Sequence, residues 1–382
     1  MYACPKLVGS FPAAPKLTQF NLNNSLYTQE LYPSGEWCLV VSEGSLLKGI
    51  KRASGVFSSI TKVEFRGCGS LKSCQLDFLP HFSKFIIRDC LELESLRIRE
   101  GPLLSLHQLV VIGCPNLKSL PENMHSLLPS LEKLVLGLLP QVDSFPEETL
   151  LLPSTITSLE FNCLRNLKSL DYKELQQLTS LRNLKICQCP KLEFIPEKSL
   201  PSSIEHLEIM DLKDLDYKGL QHLTSLRQLK IWSCSKLENI PEESLPSSLE
   251  HLEIWNMKDL NYKGLQHLTS LRRLKICGCP KLVSLPEEGL PSSLRYLEIR
   301  NLENLESLNY KGLQHLNSLR RLHIWMCPKL KSMPEEGLPS SLEYLKIIRC
   351  PSLAKSCERK TGKDWPKISH IPGVTIKMLS KA

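Results

Sequence analysis

The cysteines are the residues of this chain whose type and spacing raise the question of metal binding or redox chemistry. Cys277 and Cys279 stand one residue apart in LKICGCPKL, residues 274–282, and the stretch nearly repeats as LKICQCPKL at 184–192. A zinc site needs four convergent ligands, usually supplied by paired cysteine knuckles with a longer spacing. A redox pair is typical of C-x-x-C beside a βαβ unit. The C-x-C spacing matches neither pattern, so we expect no metal site and no disulfide chemistry.

Motifs that carry other kinds of catalysis are also missing from the sequence. It contains no G-x-x-x-x-G-K-[ST] phosphate loop, no H-E-x-x-H motif, no G-x-S-x-G motif and no dinucleotide fingerprint. Paired glutamates such as Glu242 and Glu243 recur in the same loop of successive repeats, whereas a catalytic pair is built once. We therefore predict a protein that is not an enzyme and needs no cofactor.

The cysteines are positioned by sequence repeats, because a cysteine recurs at the last position of the pattern L-x-x-L-x-I-x-x-C. Successive units begin 22 to 25 residues apart, and leucine-rich repeats have a period in this range. Their first residues are Leu181, Ile204, Leu226, Leu249, Leu271, Leu294, Leu319 and Leu342. Two units together make a super-repeat of about 45 residues.

Each unit alternates as a half-buried strand does, with Leu274 and Ile276 expected to point inward and Lys275 and Cys277 outward. One unit cannot bury its own leucines, whereas stacked units can. The sequence therefore predicts an α/β-type repeat solenoid. We expect a curved leucine-rich-repeat horseshoe with a parallel β-sheet on the concave face and irregular or short helical return legs on the convex face.

The chain divides into three segments that differ in how closely their sequence follows the repeat pattern. These are degenerate, truncated leading repeats at 1–59, a leucine-rich-repeat array at 60–350, and a C-terminal cap with a basic tail at 351–382. Met1 falls on the isoleucine position of a unit, three residues before Cys4, so we expect the first turn to be incomplete. One degenerate unit is predicted near Trp37–Val41, and Ile371, Val374 and Ile376 can supply a last strand.

The cysteine that follows each strand occupies the position where leucine-rich repeats place Asn or Cys. We expect its side chain to turn inward and bond the backbone of the bend, which is a structural role. The cysteines in this position are Cys4, Cys68, Cys90, Cys114, Cys189, Cys234, Cys279, Cys327 and Cys350. Cys277 falls outside this set and is predicted to be a surface residue at a variable position.

Residues that project from the sheet away from the leucines form the predicted binding face. Its central column alternates in sign over six strands, from Lys185 to Glu298, which is interpreted mainly as a solvated, self-complementary ladder. Tryptophan and arginine are frequent at the centres of protein-binding surfaces. The candidate protein-binding residues on this concave face are Trp232, Trp255, Trp325, Arg273, Tyr296, Arg300 and Arg321. The alternative is that the rings lie across the sheet and cover neighbouring aliphatic side chains.

Composition narrows the class of partner and the compartment. The net charge of +8 is carried by interspersed residues of both signs, which does not indicate nucleic acid as a partner. No apolar run approaches the roughly 20 residues needed to cross a bilayer. Fifteen cysteines without a signal peptide indicate free thiols, so we expect a cytoplasmic protein. The basic tail is interpreted as a solvated terminus, with a phosphate-binding patch as the alternative.

The repeats and the ending together resemble one family. The loose repeat LxxLxIxxCPKLxxLPExxLPSSL, the alternation of CPKL and LPSSLExLxI units, and the ending CERKTGKDWPKISHIPGVTI at 357–376 are similar to the C-terminal leucine-rich-repeat region of plant coiled-coil nucleotide-binding leucine-rich-repeat disease resistance proteins. The ending matches the closing signature of such receptors at Cys357, Gly362, Asp364, Trp365, Lys367, Ile368, His370, Ile371 and Pro372.

The resemblance implies a role in plant defence. Such receptors are cytoplasmic switches whose nucleotide-binding module exchanges ADP for ATP, while the repeat domain restrains that module and recognises pathogen effectors. The implied partner is a pathogen effector, a guarded host protein or the nucleotide-binding module of a parent receptor. Trp365 would close the last coil as a C-terminal cap, with solvated basic residues around it. This sequence departs from the family because it has no coiled coil and no nucleotide-binding module.

Two other functions remain open on the sequence. The first is a leucine-rich-repeat adaptor or substrate receptor of a ubiquitin ligase, although no adaptor-binding segment precedes the repeats. The second is a nonfunctional receptor fragment with an exposed coil.

Overall fold

The structure is a computed structural model that falls into two compact units, Met1–Leu192 and Glu193–Ala382, which are described separately. It describes residues 61–76, 82–98, 101–146, 150–192, 200–212, 220–233, 245–257, 265–285 and 290–378, together with the backbone of three strands at 19–21, 27–31 and 37–41.

The first unit begins with three strands, β1 (Gln19–Asn21), β2 (Tyr27–Leu31) and β3 (Trp37–Val41), that pair antiparallel. Antiparallel pairing is what the lengths of their connections allow, because parallel strands need a crossover of a dozen or more residues and only short segments join these three. The pairing therefore differs from the parallel repeats expected in this segment. The strand predicted near Trp37–Val41 is present, and it pairs in parallel with the strand at Lys62–Arg66. The segment boundaries predicted at 59 and 350 remain a prediction.

Parallel strands make up the rest of the first unit. In chain order they are β4 (Lys62–Arg66), β5 (Ser73–Gln75), β6 (Lys84–Arg88), β7 (Ser95–Arg97), β8 (Gln108–Ile112), β9 (Lys133–Gly137), β10 (Ser144–Phe145), β11 (Ser158–Asn162), β12 (Ser169–Leu170) and β13 (Asn183–Cys187). The five-residue strands pair in register as β4–β6–β8–β9–β11–β13. The shorter ones pair β5 with β7 and β10 with β12 on the return legs. Short helices α1 (Met124–Leu127) and α2 (Tyr172–Gln176) complete two return legs.

The second unit carries one parallel sheet in which each strand pairs with the next along the chain. Its strands are β14 (His206–Met210), β15 (Gln228–Trp232), β16 (His251–Trp255), β17 (Arg273–Cys277), β18 (Tyr296–Arg300), β19 (Arg321–Trp325), β20 (Tyr344–Ile348) and β21 (Gly373–Lys377). Its helices are α3 (Tyr310–Gln314), α4 (Pro351–Ser356) and α5 (Trp365–Ile368). The predicted parallel repeat solenoid with short helical return legs is confirmed, as is the last strand at β21.

The second and fourth residues of each five-residue strand from β4 to β20 form the sheet side of the core of their unit, and leucines outside the strands, such as Leu268 and Leu285, complete it. In β17 the two strand residues are Leu274 and Ile276, and both are fully buried. Each is in register with the same residue type on the neighbouring strands, as Leu252 and Leu297 are with Leu274. The stacked leucines and isoleucines therefore form continuous columns, which no single repeat could bury alone.

The residue that follows each five-residue strand from β4 to β20 adopts a left-handed conformation. In the second unit Asn256 has φ 54° and Gly278 has φ 65°. The backbone N–H of each donates to the carbonyl of the last residue of the next strand, at 2.8 Å from Asn256 to Cys277 and 3.0 Å from Gly278 to Arg300. This bend turns the chain out of the sheet and brings the next residue back over the core.

Candidate protein-binding face

The first, third and fifth residues of each strand in the second unit project away from the leucine core, and we call this surface the ladder face. Strand register fixes which side chains are neighbours. The fifth residues of β15 to β19 follow one another as Trp232, Trp255, Cys277, Arg300 and Trp325. The sheet thus gathers into one row residues that lie almost a hundred positions apart in the sequence.

Four of these residues, Trp232, Trp255, Arg300 and Trp325, form what we call the aromatic row. Trp232 meets Trp255 edge to face with ring centroids 5.7 Å apart. The guanidinium of Arg300 lies 4.6 Å from the ring centroid of Trp325 and 5.7 Å from that of Trp255. Lys346 Nζ lies 5.9 Å from the Trp325 centroid. The row is therefore a connected set of stacked aromatic and cationic groups, of the kind found in cation–π contacts.

The prediction that Cys277 is a surface residue is wrong, because its side chain is only 1% exposed. Cys277 stands between Trp255 and Arg300, and the Arg300 side chain reaches over it to the Trp255 ring. A small side chain between two long ones is covered by them, even though it points away from the core. Burial raises the pKa of this thiol to about 12, which keeps it protonated.

The cysteines predicted to follow each strand, which we call the turn cysteines, lie in the bends where the chain leaves the sheet. Cys4 and Cys234 are outside the described residues, and the other predicted ones are all buried. Their thiols donate to the carbonyl two residues earlier, at 3.4 Å from Cys90 to Arg88, 3.7 Å from Cys279 to Cys277 and 3.3 Å from Cys350 to Ile348. These contacts use the thiol as a hydrogen-bond donor to the bend. Cys68, Cys114, Cys189 and Cys327 are buried at the same position.

Carboxylates on the ladder face are engaged by neighbouring groups. Glu253 pairs with Lys275 at 3.1 Å, as the alternating ladder predicts. Glu298 instead accepts a hydrogen bond from the hydroxyl of Tyr296 at 2.6 Å. That hydroxyl also lies 3.0 Å from Nδ1 of His323. Burial and the hydrogen bond to Glu298 raise the pKa of Tyr296, and burial lowers the pKa of His323.

The predicted arginines differ in their contacts. Arg273 and Arg321 are exposed at the first positions of β17 and β19. The Arg273 guanidinium lies 5.9 Å from the ring centroid of Tyr296. Arg321 is in register with Tyr296 on one side and Tyr344 on the other. Both arginines thus lie along one edge of the ladder face, and Arg300 lies along the other.

Several polar atoms of this face lack a hydrogen-bond partner among the described residues. They are the indole Nε1 atoms of Trp255 and Trp325 and the Nε2 atom of His323, all of which are shielded from solvent. Buried polar atoms are nearly always paired in proteins. Unpaired ones that cluster beside arginines mark this face as a candidate site.

The corresponding face of the first unit has a different character. Ile86, Val110 and Val135 follow one another in its central column, are nearly fully buried and pack with Ile112. Its aliphatic column offers fewer hydrogen-bond donors than the arginines and indoles of the second unit. The second unit is therefore the better candidate for recognition.

The C-terminal cap is tied to the last return leg by Asp364, next to Trp365, whose predicted role in closing the last coil stays a prediction. Asp364 is 1% exposed and accepts hydrogen bonds from the Met333 backbone N–H at 3.0 Å and the Ser356 hydroxyl at 2.6 Å. It also pairs with Lys367 at 2.9 Å. Trp365 is only partly buried, as the first residue of α5.

The prediction that the basic residues of the cap are solvated is wrong for Lys367. Its Nζ atom pairs with Asp364 and also donates to the Met333 carbonyl at 3.3 Å. Burial by itself would raise the pKa of Asp364, but its hydrogen bonds to Ser356, Lys367 and Met333 outweigh burial and hold that pKa below its usual range. The sequence signal for this pair was an aspartate three residues before a lysine, within a run that was interpreted only as basic.

Neither a metal centre nor a membrane span is found in the part of the chain that the structure describes. There, no three His, Cys, Asp or Glu side chains converge closely enough to hold a metal ion. None of the helices described has the length and apolar character of a membrane span.

Comparison with known proteins identifies the repeat type. Residues 250–334 match the family model of the leucine-rich-repeat domain of the endo-beta-N-acetylglucosaminidase EndoS. No curated protein sequence matches the chain. The structure of an internalin, inlF, from Listeria monocytogenes is similar with a TM-score of 0.53 and 16% identity, covering 88% of this chain and 95% of the internalin chain. At that identity the likeness establishes the fold alone.

Two further structures are similar at lower TM-scores. A leucine-rich-repeat protein from Leptospira interrogans has a TM-score of 0.42 and 20% identity, covering 76% of this chain and 84% of its own. CroV588, described as a novel circular leucine-rich-repeat protein, has a TM-score of 0.40 and 15% identity, covering 85% of this chain and 70% of its own.

Proposed function

We propose that this leucine-rich-repeat solenoid is a noncatalytic protein-recognition domain whose partner binds the ladder face of the second unit. The observation that carries the proposal is the aromatic row, in which Trp255, Arg300 and Trp325 stack on one another at the surface of the sheet. Binding energy at protein interfaces concentrates in tryptophan, tyrosine and arginine. Leucine-rich repeats provide an extended face of this kind without any reacting group.

We further propose that the partner belongs to plant immunity. The support is the resemblance of the repeats, and of the ending at 357–376, to disease resistance receptors. In that setting the chain is a cytoplasmic regulatory and recognition domain in the defence response to pathogens. Its partner is a pathogen effector, a guarded host protein or the nucleotide-binding module of the receptor. The residues of the ending lie in a cap packed on the last repeat, so the resemblance extends to residues that have a physical role.

The paired change Trp255→Ala and Trp325→Ala is expected to lower the affinity for the bound protein by at least roughly tenfold, since truncating central aromatic residues commonly has effects of this size. The full chain, expressed in plant leaf tissue with an affinity tag, would be compared with this variant by quantitative mass spectrometry of the bound proteins. The matched control is Val283→Ala, which shortens a side chain that is 51% exposed on a return leg.

Proteins retained equally by the wild type and the Trp255→Ala, Trp325→Ala variant would contradict recognition through this face. Proteins lost equally from the tryptophan variant and from the Val283→Ala control would contradict it as well. A circular dichroism spectrum of each variant checks that the sheet is intact.

The receptor assignment has a separate test. Long-read sequencing of transcripts that contain this coding sequence is expected to find a continuous reading frame upstream that encodes a G-x-x-x-x-G-K-[ST] module. Transcripts without such a module would leave a recognition domain that acts outside a nucleotide switch, and the receptor proposal would fall.

A further inference from the structure

We propose that the segment of the partner that binds the ladder face is acidic and extended, with carboxylate side chains that bind Arg273, Arg300 and Arg321. This inference rests on the proposed function and specifies the chemistry of the partner.

The charges on the ladder face do not cancel. Arg273, Arg300, Arg321 and Lys346 form no ion pair with a carboxylate of any described residue, and their contacts are with aromatic rings where they have them. The nearby carboxylates are already engaged, Glu253 by Lys275 and Glu298 by the Tyr296 hydroxyl. The face therefore presents uncompensated positive charge to a partner, and complementary negative charge favours association.

The unfilled hydrogen-bonding capacity of the face is mostly that of donors. Arg273 and Arg321 are exposed and pair with no carboxylate among the described residues, so their guanidinium N–H groups are open to a partner. The Arg300 guanidinium lies over the rings of Trp255 and Trp325 and forms no ion pair with a described carboxylate, and its five N–H donors lie in the plane of the group. A buried donor without an acceptor costs free energy. A partner that covers this face must therefore bring acceptors, and carboxylates accept from arginine in pairs.

His323 is the exception to this pattern. The Tyr296 hydroxyl has one proton and donates it to Glu298, so the His323 Nδ1–H must donate to the Tyr296 oxygen. The Nε2 atom of His323 then carries a lone pair, but it is shielded from solvent, so the partner need not supply a donor for it.

The spacing of the arginines indicates an extended segment. Arg273 and Arg321 occupy equivalent positions on β17 and β19, with β18 between them. Neighbouring strands lie about 4.8 Å apart, so the two positions are separated by roughly 10 Å. An extended chain in the polyproline II conformation has three residues per turn and advances about 3.1 Å per residue. Acidic residues three positions apart in such a segment would therefore lie on one side of it, roughly 9 Å apart, and reach both arginines.

Separate carboxylates fit this face better than the backbone of a nucleic acid. Glu253 and Glu298 alternate with the cations along the central column. An unbroken line of phosphates would pass over both glutamates and be repelled, whereas carboxylates at every third residue can be placed between them. Nucleic acid binding is therefore an outcome that would oppose the proposal.

The test uses the full chain and a fluorescein-labelled peptide with glutamate at every third position, separated by glycine and serine. Fluorescence anisotropy at about 50 mM salt, where screening is weak, is expected to give at least roughly tenfold tighter binding than for the same peptide with glutamine. The change Arg273→Gln with Arg321→Gln is expected to weaken glutamate-peptide binding roughly tenfold. The control removes the same charge at two exposed residues of the cap, Arg359→Gln with Lys363→Gln, and should change the affinity less than about twofold.

The reversed pair Arg273→Glu and Arg321→Glu is expected to lose the glutamate peptide and to bind its lysine version, which a merely unfolded variant would not do. Equal binding of the glutamate and glutamine peptides would overturn the proposal. So would equal losses in the ladder-face and cap variants, or tighter binding of a single-stranded DNA of equal charge that is lost in the ladder-face variant. If the glutamate peptide fails while the tryptophan variant still loses its captured proteins, recognition stands and only the acidic partner is rejected.

Discussion

Replacing Asp364 with Ala is expected to lower the free energy of unfolding by about 3–5 kcal/mol, the usual effect of removing one partner from a buried ion pair. The Asp364 carboxylate holds the Met333 backbone N–H, the Ser356 hydroxyl and Lys367 at once. Its removal leaves these groups without their acceptor beneath the cap. Urea unfolding followed by circular dichroism measures the change. The matched control is Glu358→Ala, an exposed acid in the same cap, which should cost under about 0.5 kcal/mol.

The pH dependence of the wild type provides a second readout of this carboxylate. The folded state holds the pKa of Asp364 below its ordinary value of 3.8, so the unfolded state binds the proton more tightly. The stabilisation from Asp364 is therefore fully present above the ordinary value and is lost as the pH falls through the folded pKa. The difference in stability between wild type and Asp364→Ala should shrink in that acidic window. A difference that stays constant there would show that the charge is not responsible.

Replacing Leu274 with Ala is expected to cost about 2–5 kcal/mol, as for other buried leucines. Leu274 is fully buried between Leu252 and Leu297, its partners on the neighbouring strands. Those strands are held by backbone hydrogen bonds on both sides, so they cannot close in on the space left behind. The loss would be measured as the shift of the urea midpoint, together with the slope of the transition.

The control for the core change is Leu104→Ala, at a leucine that is 65% exposed. The same atoms are removed there without leaving a cavity, so the expected loss is under about 0.5 kcal/mol. Similar losses at Leu274 and Leu104 would mean that the leucine columns do not carry the stability of the solenoid.

The sequence predicted the parts of the fold that depend on periodic burial. Leu274 and Ile276 were expected to point inward because a leucine and an isoleucine lie at the same two places in successive repeats, and every repeat needs the same core. The left-handed bend after each strand was not predicted, since residues as different as Asn256, Gly278 and Met326 adopt it. There the hydrogen bond to the next strand decides the conformation, and no single residue type signals it.

The candidate site was predicted in composition but not in its contacts. The alternation of inward and outward residues along each strand correctly placed Trp255 and Arg300 on the face away from the core. It could not predict that Arg300 would reach across β17 to Trp255 and bury Cys277, because that depends on the lengths of side chains two strands apart. Lys367 was missed for a similar reason, since its partner Asp364 becomes buried only when the cap packs on Met333.

In-register pairing also determines how such an array can change its length by recombination. From β14 to β18 the central residue of each strand alternates between glutamate and lysine, as Lys230, Glu253, Lys275 and Glu298 do. Unequal crossing-over that inserts one repeat would set two strands with like central charges side by side. Crossing-over that inserts two repeats keeps neighbouring central residues opposite in sign and moves the strands beyond the insertion by roughly 10 Å. The super-repeat of about 45 residues is therefore the smallest insertion that lengthens the array and preserves this alternation.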